Sequence, residues 1–143
     1  MKRIKRAMVA TMMMSILFGA IPVMAANTSD TYYTKYTCSG GWEDKIAVRS
    51  KHNSTKVYSY IYTSPESRMQ VRAYGYANGA YTNQTRGGVA YVYIGEHTSI
   101  TNYIYETGHR NASIGIRTNS ESYYGTVSGK WSPDSTKNYK VAN

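Results

Sequence analysis

From residue 45 to residue 131 short runs rich in Val, Ile, Tyr and Thr recur between turn-forming clusters, and none shows the three-to-four spacing of an amphipathic helix. That pattern predicts an all-β chain with strands at 45–51, 56–63, 68–76, 88–94, 100–106, 111–118 and 124–131. Seven short strands with frequent turns fit a single antiparallel β-sandwich, with a small β-barrel as the alternative.

The opening of the chain is different in kind. Lys2, Arg3, Lys5 and Arg6 precede an uncharged apolar stretch over 7–23, which ends in Val23-Met24-Ala25. A basic start, an apolar middle and small residues two positions apart make an export signal, with cleavage expected after Ala25. Gly19, Pro22 and the lack of a stop-transfer cluster argue against a membrane anchor. The expected organisation is a signal peptide at 1–25, a polar leader at 26–44, a β-sandwich at 45–132 and a C-terminal tail at 133–143. The product is expected to be secreted and extracellular.

Removing that segment changes the chemistry of what folds. It takes four of the 17 basic residues and none of the eight acidic ones, so 13 against eight leaves a charge of +5. Six of the seven Met and the only Phe leave with it. Tyrosine must then supply much of the buried area, its hydroxyl reaching water or a partner at the core margin. Cys38 is the only cysteine. With no intramolecular disulfide available, stability must come from sheet packing. A monomer is expected, a Cys38-linked dimer being the alternative.

Two hairpins are expected, turning at Ser64-Pro65-Glu66-Ser67 and at Gly95-Glu96-His97-Thr98, with a longer loop over 78–88. In the first, Tyr58, Tyr60 and Tyr62 alternate with Val57, Ser59 and Ile61, while Met69, Val71 and Ala73 alternate with Arg68, Gln70 and Arg72. The preferred register packs Val57 and Ile61 on Met69 and Val71, which places the tyrosines and arginines together on an exposed face. In the second, Tyr91 and Tyr93 are expected opposite Tyr103 and Tyr105. Trp131 is expected to close the core, with Pro133 ending the last strand.

The ligand-binding face predicted from this register comprises Tyr58, Tyr60, Tyr62, Arg68 and Arg72, because rings stack on sugars and guanidiniums grip carboxylates or phosphates. Its partners would be an anionic cell-wall polymer, a glycan or a membrane surface. No nucleic-acid partner is expected, since the cations are scattered and no recognition motif appears. His52, His97 and His109 lack metal-ligand spacing, and Glu96 and His97 would face opposite ways on a strand, so neither metal, cofactor nor catalytic residue is expected.

The segment Val127-Ser128-Gly129-Lys130-Trp131-Ser132-Pro133-Asp134-Ser135, with the export signal and the Tyr-, Ser- and Thr-rich body, resembles small uncharacterised secreted proteins of Gram-positive bacteria. That resemblance implies secretion and a compact domain, and no activity. The Gly- and Tyr-rich body is also similar to secreted bacteriocins of the lactococcin type. The expected function is therefore a non-enzymatic binding domain. The alternatives are a bacteriocin-like toxin acting on a competitor's envelope and, third, a small hydrolase pairing a histidine with a glutamate. Protein recovered from culture medium is expected to begin at Ala26 on N-terminal sequencing, and a retained basic N-terminus would overturn the export reading.

Overall fold

The computed structural model describes residues 25–37 and 43–143, and every helix-or-strand element among them is a strand. In chain order these are β1 (Thr31–Thr37), β2 (Asp44–Lys45), β3 (Arg49–Ser50), β4 (Lys56–Thr63), β5 (Arg68–Ala77), β6 (Ala80–Asn83), β7 (Ala90–Tyr93), β8 (Thr98–Ile100), β9 (Asn111–Thr118), β10 (Gly125–Ser135) and β11 (Lys140–Val141). The expected signal segment up to Met24, together with Cys38 and Trp42, lies outside the described residues.

The strands form two sheets. One runs β1-β10-β4-β8-β11; the other runs β2-β9-β5-β6, with β3 also beside β9 and β7 also beside β5. Pairing between the strands is antiparallel except for β11 on β8. The all-β class is as expected, and the core follows the expected alternation. Val57, Ile61, Ile100, Val127 and Trp131 from the first sheet and Met69, Val71, Val92, Ile114 and Ile116 from the second are fully buried in one cluster. Each such side chain removed from water is worth about 1.5–3 kcal/mol.

Several expected connections differ. The segment 64–67 is a corner and not a hairpin turn, because β4 pairs with β10 and β8 while β5 pairs with β6, β7 and β9. Its local chemistry is nonetheless as expected, with the Ser64 hydroxyl donating to the Glu66 carbonyl. The segment 94–97 likewise crosses from β7 in one sheet to β8 in the other, held by Gly95 N–H donating to Ile61 O at 2.9 Å. The expected pairing of Tyr91 and Tyr93 with Tyr103 and Tyr105 is replaced by pairing with Gln70 and Arg68. Residues 104–108 form a turn that buries Ile104 and bonds Thr107 N–H to Tyr103 O.

The expected loop at 78–88 contains β6, joined to β5 by Asn78-Gly79 with both residues at positive φ, 52° and 80°. Two successive left-handed residues match the twist of a tight hairpin, and Asn-Gly adopts that geometry with little strain. The leader and the tail belong to the sheets. β1 is an edge strand on β10, and β10 continues past Pro133 to Ser135 through an irregularity in its register with β4. A proline lacks the ladder N–H, and irregular positions are where a sheet tolerates one.

A buried ion pair ties these parts together. The Lys51 ammonium donates to Asp134 Oδ1 at 2.9 Å and to the carbonyls of Thr55 and Pro133, each at 2.7 Å. Both side chains are fully buried. Asp134 Oδ2 accepts from the backbone N–H groups of Asn27 at 2.8 Å and His52 at 3.0 Å. Burial by itself raises the Asp134 carboxyl, but these two donors and Lys51 reverse that and hold it below the ordinary carboxylate range. Burial lowers the Lys51 ammonium against the pull of Asp134.

The depressed carboxyl stabilises the fold fully above its unfolded value of about 3.9, and that contribution is lost as pH falls from there through the lower folded value. Thermal melts should therefore drop as pH falls below about 4. Asp134→Asn or Lys51→Met should each cost about 3–5 kcal/mol at neutral pH by stranding a buried partner, whereas Lys51→Met with Asp134→Leu should recover much of the loss. Single variants that melt like the parent would show that the pair does not hold the fold.

Candidate functional site

Because β4 turns Val57, Ser59 and Ile61 inward, Tyr58, Tyr60 and Tyr62 stand on the outer face of the five-stranded sheet. Strand register then assembles their neighbours. Lys130 on β10 lies opposite Tyr60 on one side and Tyr32 of β1 on the other. Gly129, the preceding residue, allows the close approach of the Tyr33 phenol, whose oxygen would lie 2.5 Å from an added Cβ.

The rings form a continuous row. Tyr32 and Tyr62 lie 6.3 Å apart with planes only 5° from parallel, and Tyr62 meets Tyr60 edge-on at 4.9 Å. Tyr60 stacks on His97 at 4.3 Å, and His97 stacks on Tyr139 at 5.2 Å. The Tyr58 hydroxyl and His97 Nδ1 are hydrogen-bonded at 2.7 Å, and the Tyr58 ring is 5.1 Å from Tyr139. Exposure grades along the row, from Tyr58 at 4% through Tyr62 at 41% to Tyr32 at 70%. One end is therefore covered and the other open to a ligand.

Two hollows flank the row. One of about 300 Å³ is lined by Asp30, Tyr58, His97, Lys130, Lys137 and Tyr139 among others. A shallower one of about 340 Å³ lies between Tyr32, Tyr33, Tyr62 and Gly129. Lys130 Nζ is 2.7 Å from Asp30 Oδ2. That hydrogen bond is the main cause raising the Lys130 ammonium above its ordinary value, against the opposing effect of burial. Flat exposed rings beside a fixed cation, a carboxylate and hydroxyls offer apolar stacking together with donors and acceptors.

Arg68 and Arg72 are not brought to this face. The corner at 64–67 sends β5 into the other sheet, where the Arg68 guanidinium lies 4.8 Å from the Tyr91 ring. Arg72 there donates to Gly88 O at 3.2 Å and lies 3.6 Å from Glu43. Tyr32, Asp30, His97, Lys130 and Tyr139 join the face without having been selected from sequence. The alternation of Lys130 with inward Gly129 and Trp131 was the available signal for one of them.

The histidine rings are hydrogen-bonded to the Ala25 carbonyl for His52, to Tyr58 for His97 and to the Thr107 hydroxyl for His109. Among the described residues none of these rings is bonded to a carboxylate, and no group of three or more His, Cys, Asp or Glu is placed to hold a metal ion. No described helix is long and apolar enough to cross a membrane.

These features define a two-sheet all-β domain with an outward aromatic row. The chain belongs to the family described as Protein of unknown function (DUF2712), whose model matches residues 21–135. No curated protein and no solved structure matches the chain.

Burial is the largest influence on the phenols of Tyr33, Tyr58 and Tyr74; it raises all three, Tyr58 to about 12. A phenol held neutral in the fold above its unfolded value of about 10 gives stability that is full below that pH and declines as pH rises toward the folded value. Melting temperature should hold level up to about pH 10 and then fall. Tyr58→Phe should make that fall shallower, and an unchanged alkaline profile would show that the Tyr58 hydroxyl is not so enclosed.

Proposed function

We propose that this chain is a secreted, non-enzymatic domain that binds a cell-surface glycan or anionic cell-wall polymer through the aromatic row of its five-stranded sheet. The export-type opening supports the location: a basic start, an apolar stretch and small residues before Ala26. The observation that carries the binding reading is the parallel Tyr32–Tyr62 pair, exposed and continuous with Tyr60 and His97.

Stacking accounts for the residue types. A sugar ring presents an apolar face of C–H groups, which a tyrosine face covers while ring hydroxyls reach Lys130, Asp30 and the phenols. Neighbouring rings at 4.3–6.3 Å let successive units of a polymer be held in register. A stacked ring contributes about 0.5–1.5 kcal/mol, which corresponds to a roughly two- to twelvefold change in affinity.

Purified protein incubated with isolated cell wall should be retained, and retention should weaken as salt rises because Lys130 meets an anionic polymer through a screened charge; equal retention at low and high salt would count against an anionic ligand. Tyr62→Ala and Tyr32→Ala, both exposed and remote from the core, should each lower retention severalfold with unchanged melts. Retention equal to the parent in the double variant would remove the aromatic row as the binding face.

A further inference from the structure

Alternation in β5 turns Met69, Val71 and Ala73 inward, so Arg68, Gln70 and Arg72 stand on the outer face of the six-stranded sheet. β9 buries Ile114 and Ile116, which turns Arg117 outward, and its register sets Arg117 directly opposite Gln70. On the other side of β5, Tyr91 is opposite Gln70 and Tyr93 is opposite Arg68. Gln70 is thus ringed by three arginines. Arg117 is the diagonal neighbour of both Arg68 and Arg72, a relation that puts backbones roughly 7–8 Å apart and side-chain ends within reach of one ligand.

Like charges at that spacing repel one another unless an anion lies between them. The nearby acids do not supply one to all three. Glu43 accepts from Tyr74 at 2.5 Å and from Lys45 at 3.0 Å and reaches Arg72 at 3.6 Å, while Glu66 accepts from Ser120 N–H at 2.9 Å. Among the described residues Arg68 and Arg117 form no ion pair. Arg117 Nε is moreover buried without a hydrogen-bond partner. A buried donor left unmade is costly, and an acceptor arriving at this face would relieve it.

The geometry points to a second binding site, formed by Arg68, Arg72, Arg117 and Gln70, that takes the oxyanions of a phosphodiester-linked polymer. The Arg68 guanidinium lies 4.8 Å from the Tyr91 ring centroid and forms no ion pair among the described residues, so its N–H fork is available to two oxygens of a phosphate. A phosphodiester keeps its charge at every pH where the protein folds, and its repeat presents successive anions to successive arginines. The site shares no residue with the aromatic row, so it stands whether or not that row binds a glycan.

The test uses the full processed chain and two labelled probes of matched charge, poly(glycerol phosphate) and polygalacturonate, followed by fluorescence anisotropy. Poly(glycerol phosphate) should bind and be displaced by salt. Arg68→Gln with Arg117→Gln should weaken it at least tenfold, and Lys35→Gln, which removes an exposed charge from β1 and touches neither site, should leave it within about twofold. Arg68→Lys with Arg117→Lys, which keeps the charge and loses the fork, should fall between the two, and melts of each variant exclude unfolding as the cause. Binding by the glutamine pair equal to the parent would overturn the site. Tighter binding of polygalacturonate would overturn phosphate as its ligand. Failure of cell-wall retention in the parent alongside intact poly(glycerol phosphate) binding would remove the aromatic reading alone.

Discussion

Lys51 and Asp134 are both fully withdrawn from water, and a charge in that position is tolerable only when every donor and acceptor around it is met. Meeting them requires three remote pieces of chain at once: Asn27 before β1, the crossing from β3 to β4 at Lys51, His52 and Thr55, and the end of β10 at Pro133 and Asp134. The pair therefore fixes where β10 ends. With Asp134 held, the strand passes its irregular stretch before Ser135, Trp131 points into the core and Lys130 points out between Tyr32 and Tyr60. A slip of one residue would exchange Trp131 and Lys130 between faces, bury an uncompensated ammonium and expose the indole. The electrostatic constraint on folding is thus also what sets the cation of the aromatic row.

Tyrosine serves two purposes that its chemistry separates by depth. On the edge strand β1, Tyr33 is 8% exposed and packs into the core cluster as apolar bulk. On the outer face Tyr60 and Tyr62 extend the same strand's alternation into solvent. The C-terminal segment is recruited by this arrangement: Tyr139 stacks on His97, Lys140 pairs with Glu96 at 3.0 Å, and Tyr91 N–H donates to Ala142 O. A chain poor in aliphatics gains a closed edge in this way, because the last residues bridge from β8 in one sheet to β7 in the other.

Alternation was legible in the sequence and connection was not. The inward set of β4, β5, β9 and β10 follows from a period of two, and β4 and β9 begin and end where residue type alone places them. Ser64-Pro65-Glu66-Ser67, by contrast, has the same local hydrogen bonding whether the chain returns along its own sheet or crosses to the other, since a turn contains no record of what its flanking strands pair with. The Tyr103 and Tyr105 alternation was overridden by Ile104, which gains full burial when the chain turns there. Lys51 and Asp134 are 83 positions apart and each sits beside turn-forming residues, so nothing local marks them as partners. Three tyrosines of the aromatic row were read from β4 alone, and the residues that complete it arrive from β1, β10, the β7–β8 crossing and the tail.

Sending the arginines to the other sheet has a physical consequence for the aromatic row. Guanidiniums beside tyrosines in this protein cover the rings: Arg68 lies 4.8 Å over Tyr91, and Arg110 lies 3.8 Å over Tyr105. A cation so placed competes with any ligand for the ring face. On the five-stranded sheet the cation at the centre of the row is Lys130, and Asp30 draws its ammonium to 2.7 Å while the Tyr32 and Tyr58 rings remain 6.0 and 5.8 Å away. The ion pair therefore acts on the site by restraint, fixing the ammonium on Asp30 at the far limit of its reach over the two rings. The corner at 64–67 does the same on a larger scale, keeping the guanidiniums of Arg68 and Arg72 on the sheet opposite the aromatic row.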